Sequence, residues 1–180
     1  MKRTPLLALL DAYQPHDPDE KNHKETIAAF VRDNPDCFER TLTSGHITAS
    51  SWLLNKDKTH ALLLHHKKLD RWLQLGGHCD GDPDTLAVAI KEAQEESGIL
   101  NIEPLFCAIF DVDVHLIPET PKAAAHYHYD IRFLLHVTSN EMVIQNNESN
   151  ALQWISKELH ALPTNERSVT RMFEKWCALF

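Results

Sequence analysis

Apolar positions in this chain recur with two periods, and the switches between them mark out the elements. Leu6–Tyr13 and Asp19–Arg32 carry the spacing of helices and flank a turn at Pro15–Pro18; the second helix buries Ile27, Ala28, Phe30 and Val31. Asn34-Pro35 ends it, because the residue before a proline is driven out of the α region. Phe38–Thr43 is expected as a short strand. His46–Asn55 and Thr59–His65 predict two longer ones joined as a hairpin through the polar turn Asn55–Lys58. Trp72–Leu75 is a third strand, leading into Gly76 and Gly77. Beyond a central helix, Phe106, Ala108, Phe110, Val112 and Val114 alternate along one long strand, Pro104–Leu116, and Pro118–Ala125 is a loop. A strand at His126–Val137 and another at Leu152–Ile155, with Trp154 packed, complete the sheet. Helices at Ser156–Leu162 and from about Glu166 to Ala178 close the chain. Strands on both sides of a central helix, with more helices at both ends, imply a layered α/β sandwich.

The central helix belongs to the most informative stretch, Gly76–Leu100. Leu86, Ala89, Ile90 and Ala93 form an apolar stripe that must face a core, so the acidic face of the helix is expected to turn outward. Asp84 or Thr85 caps its start behind Pro83, and Gly98 supplies its stop. Near the end stand Glu92, Glu95 and Glu96. Carboxylates at i, i+3 and i+4 share a helical face, and their mutual repulsion is relieved by a cation; an oxygen-rich site of this kind suits Mg²⁺ or Mn²⁺. Lys91, four residues before Glu95, can steady it.

In the strand His126–Val137, alternation puts Ile131, Phe133, Leu135 and Val137 on one side. The other side receives His126, His128, Asp130 and Arg132, a row of metal ligands with one anion-binding fork.

Composition narrows the class. A chain of 180 residues, 43% hydrophobic and 24% charged, with no internal repeat, suits one ordinary soluble domain. A net charge of −8 argues against binding to nucleic-acid polymers or acidic membranes, while leaving room for a small anion held through a metal. Met1–Leu10 does not read as a signal peptide, and no apolar run is long enough to span a bilayer. Cys37, Cys79, Cys107 and Cys177 lack metal or redox spacing and suit reduced thiols in the cytoplasm.

Gly77, Glu92, Ala93, Glu95, Glu96, Gly98 and Ile99 together resemble the Nudix box, G-x5-E-x7-R-E-U-x-E-E-x-G-U with U aliphatic. Pro83, between Asp82 and Asp84, takes the place of the early glutamate that braces the loop in the family, and Lys91 that of the arginine. The resemblance implies a Nudix-type α/β/α sandwich with a mixed sheet over residues 36–180, with residues 1–35 as an N-terminal helical extension packed on it. It implies a hydrolase of diphosphate linkages in nucleoside diphosphate derivatives or similar small molecules. Glu92, Glu95, Glu96 and the Gly77 carbonyl would hold Mg²⁺ or Mn²⁺, Glu92 or Glu95 would accept a proton from water, and Gly76, Lys91 and Arg132 would steady a carboxylate or the substrate.

A second resemblance extends from His46 onward. HITASSWLLN is similar to a segment of isopentenyl diphosphate isomerase, itself of the Nudix superfamily, in which a metal-binding histidine precedes SSW; His46 takes that place. His78 matches another ligand, and His126-x-His128 stands where the isomerase has Glu-x-Glu. The resemblance implies a second site at His46, His78, His126 and His128, whose imidazoles suit Zn²⁺, Mn²⁺ or Fe²⁺. The isomerase's catalytic cysteine and second glutamate are replaced by Gly76 and His128, which favours hydrolysis over isomerisation. A nucleotide-binding module without activity is the third alternative; retention of the box glutamates favours an enzyme. Glu148 is a further acidic candidate, and the N-terminal helices offer a homodimer contact.

Overall fold

The computed structural model describes residues 2–121, 123–145 and 149–179, so Glu148 lies outside the described residues. Helices α1 (Thr4–Ala12) and α2 (Pro18–Asp33) come first. Asp17 caps α2 by accepting a hydrogen bond from the Glu20 amide at 2.8 Å, and Asn34, before Pro35, leaves the helix in an extended conformation. The strands are β1 (Gly45–Leu54), β2 (His60–His66), β3 (Arg71–Leu73), β4 (Leu75–His78), β5 (Ile102–Pro104), β6 (Asp111–Ile117), β7 (His126–Val137) and β8 (Ser149–Ser156). Helix α3 (Thr85–Ser97) separates β4 from β5, and α4 (Arg167–Leu179) follows β8.

Strand β1 is buried along its whole length and runs parallel to β7, from Gly45 opposite Tyr127 to Leu54 opposite His136. All other pairings are antiparallel, giving a mixed sheet of eight strands. Alternation then separates two cores. Ile47, Ala49 and Leu53 of β1 and Ile131, Phe133 and Leu135 of β7 face α1, α2 and α3, against Leu10, Ile27, Val31, Val88, Ala89 and Ala93. Trp52, Leu54 and Leu134 face the other way and pack under Val169, Met172, Phe173 and Trp176 of α4. Helices on both faces of a mixed sheet are the α/β/α sandwich the sequence implies.

Four local expectations are corrected. Phe38–Thr43 is a run of turns; Phe38 and the preceding Cys37 pair their backbone with the box loop and β1, Gly81 N donating to Phe38 O at 2.9 Å and Ile47 N to Cys37 O at 2.7 Å. The Trp72–Leu75 strand breaks at Gln74, whose side-chain amide reaches Asp130 at 3.2 Å. The long Pro104–Leu116 strand is two strands. Leu105 N bonds Leu134 O and Phe110 N bonds Arg132 O, so the residues between loop out from neighbouring positions of β7 and leave Phe106 exposed. Ser156–Leu162 supplies only the end of β8 and a single 3₁₀ turn, Leu159–Ala161. The β1–β2 hairpin pairs only at Leu53–Leu62 and Leu54–Ala61, because β4 takes Thr48–Ser51 along the same edge of β1. All four cysteines are free, and no helix among the described residues is long and apolar enough to cross a membrane.

Candidate functional site

The carboxylate half of the site is set by how α3 is anchored. Asp84 accepts from the Ala87 amide at 3.0 Å and Asp82 from the Asp84 amide at 2.9 Å, so the two aspartates flanking Pro83 hold the loop into the helix. Gly98, at φ 74°, ends it in the left-handed conformation that glycine adopts without a Cβ penalty. Val88, Ala89 and Ala93 are buried, and that fixes the rotation of the helix; Leu86 and Ile90 lie at the margin of the stripe. The acidic face consequently does not turn outward as a unit. Glu96 is buried and accepts from the Gly76 amide at 2.8 Å; the Glu92 side chain is only 17% exposed and lies against Gly77; Glu95 is turned to solvent. Residues one full turn apart point at the same strand, whereas the one between them is rotated off it. Lys91 bridges the outer pair, 3.7 Å from Glu92 and 3.6 Å from Glu95.

Gly76 and Gly77 are needed for this approach. A Cβ on Gly77 would meet the Glu92 carboxylate, with Cδ at 2.6 Å, and one on Gly76 would meet Ser50 Cα at 2.6 Å and Ala49 O at 2.8 Å. The Gly76 amide is committed to Glu96 and so is not a donor for substrate.

On β4 the next residue is His78, and alternation sends it to the opposite face. Gly77 lies opposite Ala49 in the register, and His78 opposite Thr48. There it joins His46 of β1 and His128 of β7, themselves cross-strand partners; one ring nitrogen from each of the three lies within 4.8 Å of the others. The ring of His126 is 5.1 Å from that of His46, and the ring of His115, on β6 opposite His128, is 5.5 Å from that of His128. Both ring nitrogens of His46 and Nε2 of His128 are buried without a hydrogen-bond partner of good geometry among the described residues. Leaving such groups unpaired costs about 1–3 kcal/mol each, a penalty a bound cation would remove.

Electrostatics keeps these rings neutral. Burial, then His78, His126 and Arg40, pushes His46 down to about 4; burial, then His115 and His46, pushes His128 well below the ordinary range; burial, then Arg40, lowers His78. Neutral imidazole is the metal-binding form. The orientations of the flanking rings are also set: His126 Nδ1 donates to Ala124 O at 2.8 Å and His115 Nδ1 to Asp113 at 3.1 Å, so the ring nitrogen not used in these bonds is Nε2. The donor set therefore fits a borderline divalent cation on the histidines, as the carboxylates fit a hard one.

Arg132 is a correction to the sequence reading. Its guanidinium is 1% exposed and is claimed by Asp130 at 2.7 Å, Asp111 at 3.0 Å and Asp113 at 3.2 Å, so no fork is left for a phosphate. Asp130 is held in turn by Thr48 and Ser50 of β1, and Asp111 by Arg171 and Lys175 of α4. This buried polar layer separates the histidines from the core under α4. Trp52 is core, and Tyr129 stacks on Phe30 of α2 at 3.9 Å.

Sequence reasoning passed over His115 with its partner Asp113, and Arg40. The alternation Asp111, Asp113, His115 on β6 was a usable signal, since it repeats the pattern of β7; nothing in the local pattern marks Arg40.

A mixed sheet between helices, with a glycine-led carboxylate helix docked against the four-residue strand β4, defines the class, and comparison gives it a family. The NUDIX domain model matches residues 45–177, and the chain belongs to that family. Among solved structures, a NUDIX-family hydrolase from Clostridium perfringens is similar at 27% identity and TM-score 0.54, covering 75% of this chain and 98% of that one. The C. elegans Ap4A hydrolase is similar at 18% identity and TM-score 0.58, covering 73% and 95%. A MutT NUDIX hydrolase from Burkholderia pseudomallei stands at 20% and 0.54, covering 73% and 97%. No curated protein matches the chain in sequence.

Proposed function

We propose that this protein is a metal-dependent hydrolase that cleaves a diphosphate linkage in a nucleoside diphosphate derivative or a similar small molecule, by attack of water at phosphorus. The observation that carries this reading is the convergence of Glu92 and Glu96 on Gly76 and Gly77 of β4, with a neutral histidine cluster based on the very next residue. Glu92 and Glu96, with the Gly77 carbonyl, are the ligands for Mg²⁺ or Mn²⁺. His46, His78 and His128, with His126 beside them, are ligands for Zn²⁺, Mn²⁺ or Fe²⁺. Such ions polarise phosphoryl oxygens and make water acidic enough to attack near neutral pH. The protein's own part is to aim the carboxylates, to take the water's proton on Glu92 or Glu95, and to hold the diphosphate still. Lys91 limits the repulsion between Glu92 and Glu95.

The test is turnover of a panel of nucleoside diphosphate derivatives with Mg²⁺ or Mn²⁺, alongside elemental analysis of the purified protein. Phosphate or nucleoside monophosphate release that disappears in Glu96→Gln supports the reading. An inactive wild-type protein that still binds the panel ligands would replace it with the binding module.

Isomerisation is the second reading, favoured only by the similarity from His46 onward. Against it, the position of the isomerase cysteine is Gly76. Cys79 is 3% exposed, and burial first, then Asp130, pushes its thiol far up. Isopentenyl diphosphate should therefore give no allylic isomer.

A further inference from the structure

The cations around the site differ in what they are free to do. Lys91 is shared by Glu92 and Glu95, and Arg132 and Arg171 are buried among aspartates. Arg40, in the turns between α2 and β1, reaches across to the box loop, where its Nε and one terminal nitrogen each meet a different oxygen of Asp80. Both side chains stay about half exposed, at 54% and 50%.

The position of this fork is well defined. The backbone on either side of it is tied down by the Gly81–Phe38 and Ile47–Cys37 hydrogen bonds. Asp80 stands at the tip of a tight turn closed by Asp82 N to Cys79 O at 2.9 Å. Asp80 and Gly81 both have positive φ, 50° and 86°, a conformation an Asp-Gly pair adopts readily. Asp80 follows His78, the last residue of β4, by two positions. The Ile47–Cys37 bond, with Gly45 N donating to Leu42 O at 3.2 Å, holds the Arg40 turn at the start of β1, where His46 stands. The fork therefore lies beside the strand ends that carry His46 and His78.

Two parallel N–H···O bonds to two oxygens on one atom are also the way a guanidinium binds phosphate. An exposed carboxylate pair contributes only about 0–1 kcal/mol, so a more highly charged phosphate can displace Asp80 at small cost. We propose that Arg40 grips a phosphate of the substrate at the rim of the histidine cluster, and that Asp80 is the placeholder which that phosphate displaces. This rests on the diphosphate reading above and adds a specificity-determining residue outside the box.

The experiment measures binding of methylenediphosphonate, a diphosphate that cannot be hydrolysed, to the full chain by calorimetry in MnCl₂. It compares wild type, Arg40→Gln, Arg40→Lys and Asp80→Asn, each checked for folding by thermal denaturation. Arg40→Gln should weaken binding roughly 10- to 100-fold, the range for loss of a charged hydrogen-bonding partner. Arg40→Lys should recover part of that loss, and Asp80→Asn should tighten binding by up to about fivefold, because the competitor is gone. With a substrate that is turned over, Arg40→Gln should raise KM far more than it lowers kcat. Opposite signs for Arg40→Gln and Asp80→Asn are the signature, since a merely structural ion pair would make both variants weaker alike. Equal binding by wild type and Arg40→Gln, parallel weakening in both variants, or no binding by wild type overturns the inference. Arg40-dependent binding without turnover of any panel compound would uphold it while removing the hydrolase reading.

Discussion

Replacing Gly77 by alanine separates the chemistry of the site from the stability of the fold. The new Cβ would lie 2.6 Å from Glu92 Cδ, whereas ordinary contact begins near 3.4 Å, so the carboxylate must retreat by about 0.8 Å. It can do so cheaply, because the obstacle is the far end of a flexible side chain and Gly77 is not among the positive-φ positions. The expected loss of stability is below about 1 kcal/mol. Catalysis is less tolerant: a displacement near 1 Å in a group that holds a metal or moves a proton costs about a hundredfold in rate. Gly76→Ala is the contrast, because its Cβ would strike Ser50 Cα and Ala49 O, both backbone atoms of the central strand. Overpacking of that kind costs about 3 kcal/mol or more. The assay pairs thermal denaturation with steady-state hydrolysis in Mg²⁺. Gly77→Ala should melt within about 3 °C of wild type and lose about two orders of magnitude in kcat, while Gly76→Ala should melt far lower. A Gly77→Ala protein with wild-type kcat would show that Glu92 is not at the reacting centre, and the carboxylate half of the argument would fail.

Further outcomes follow from the same geometry. Glu96→Gln keeps an oxygen for the Gly76 amide but loses its charge, so the fold should persist while hydrolysis drops at least about a hundredfold in single-turnover assays. His128→Ala together with His46→Ala should remove bound transition metal, read by elemental analysis, while Mg²⁺-dependent turnover shows whether that metal takes part in the reaction. Asp111→Asn breaks buried pairs to Arg132 and Arg171, and the cost of about 3–5 kcal/mol should appear as a Tm lower by about 10 °C. The pH dependence follows from the same layer. Burial alone would raise Asp111 and Asp113, but the hydrogen bonds and charge of Arg171 and Arg132 hold Asp111 down, and Arg132 and His115 hold Asp113 down. Carboxylates depressed in the folded state give stability that is present above the unfolded value near 3.9 and lost as pH falls below it. Acid denaturation followed by circular dichroism should show that slope, and it should flatten in Asp113→Asn.

Elements with an uninterrupted period were legible in the sequence, and those whose shape depends on a neighbour were not. The strand His126–Val137 was expected with the bounds it has, because its odd positions from Tyr127 to Val137 are all aromatic or aliphatic and its even positions, Leu134 apart, are polar. The supposed Pro104–Leu116 strand has a period-2 apolar row from Phe106 to Val114, yet it loops out between Leu105 and Phe110, since the backbone of β7 supplies partners only before and after. The three glutamates were visible from spacing, but not their division into two that converge on glycines and one in solvent, which depends on the rotation imposed by Val88, Ala89 and Ala93. Arg132 was misjudged for a related reason. Alternation assigned the correct face, and only the packed structure shows that Asp111 and Asp113 arrive on the adjacent strand to occupy its guanidinium.

The two candidate metal sites are linked by a single peptide bond, and that link explains features that otherwise look unrelated. Gly77 must lack a side chain because Glu92 presses on it from the helix face, and His78 must be extended for its ring to reach the opposite face. A shift of β4 by one register position would send His78 into the core and direct residue 77 toward the histidines, so both sites would be lost together. The register is secured on the helix side by the Glu96–Gly76 hydrogen bond. On the histidine side it is secured by Gln74, which bonds Asp130 in the polar layer beneath the rings. Weakening that second anchor is therefore expected to disturb the distant carboxylates. Gln74→Ala should lower metal occupancy at the histidines and kcat in Mg²⁺ in parallel, whereas independent sites would leave one of the two quantities unchanged.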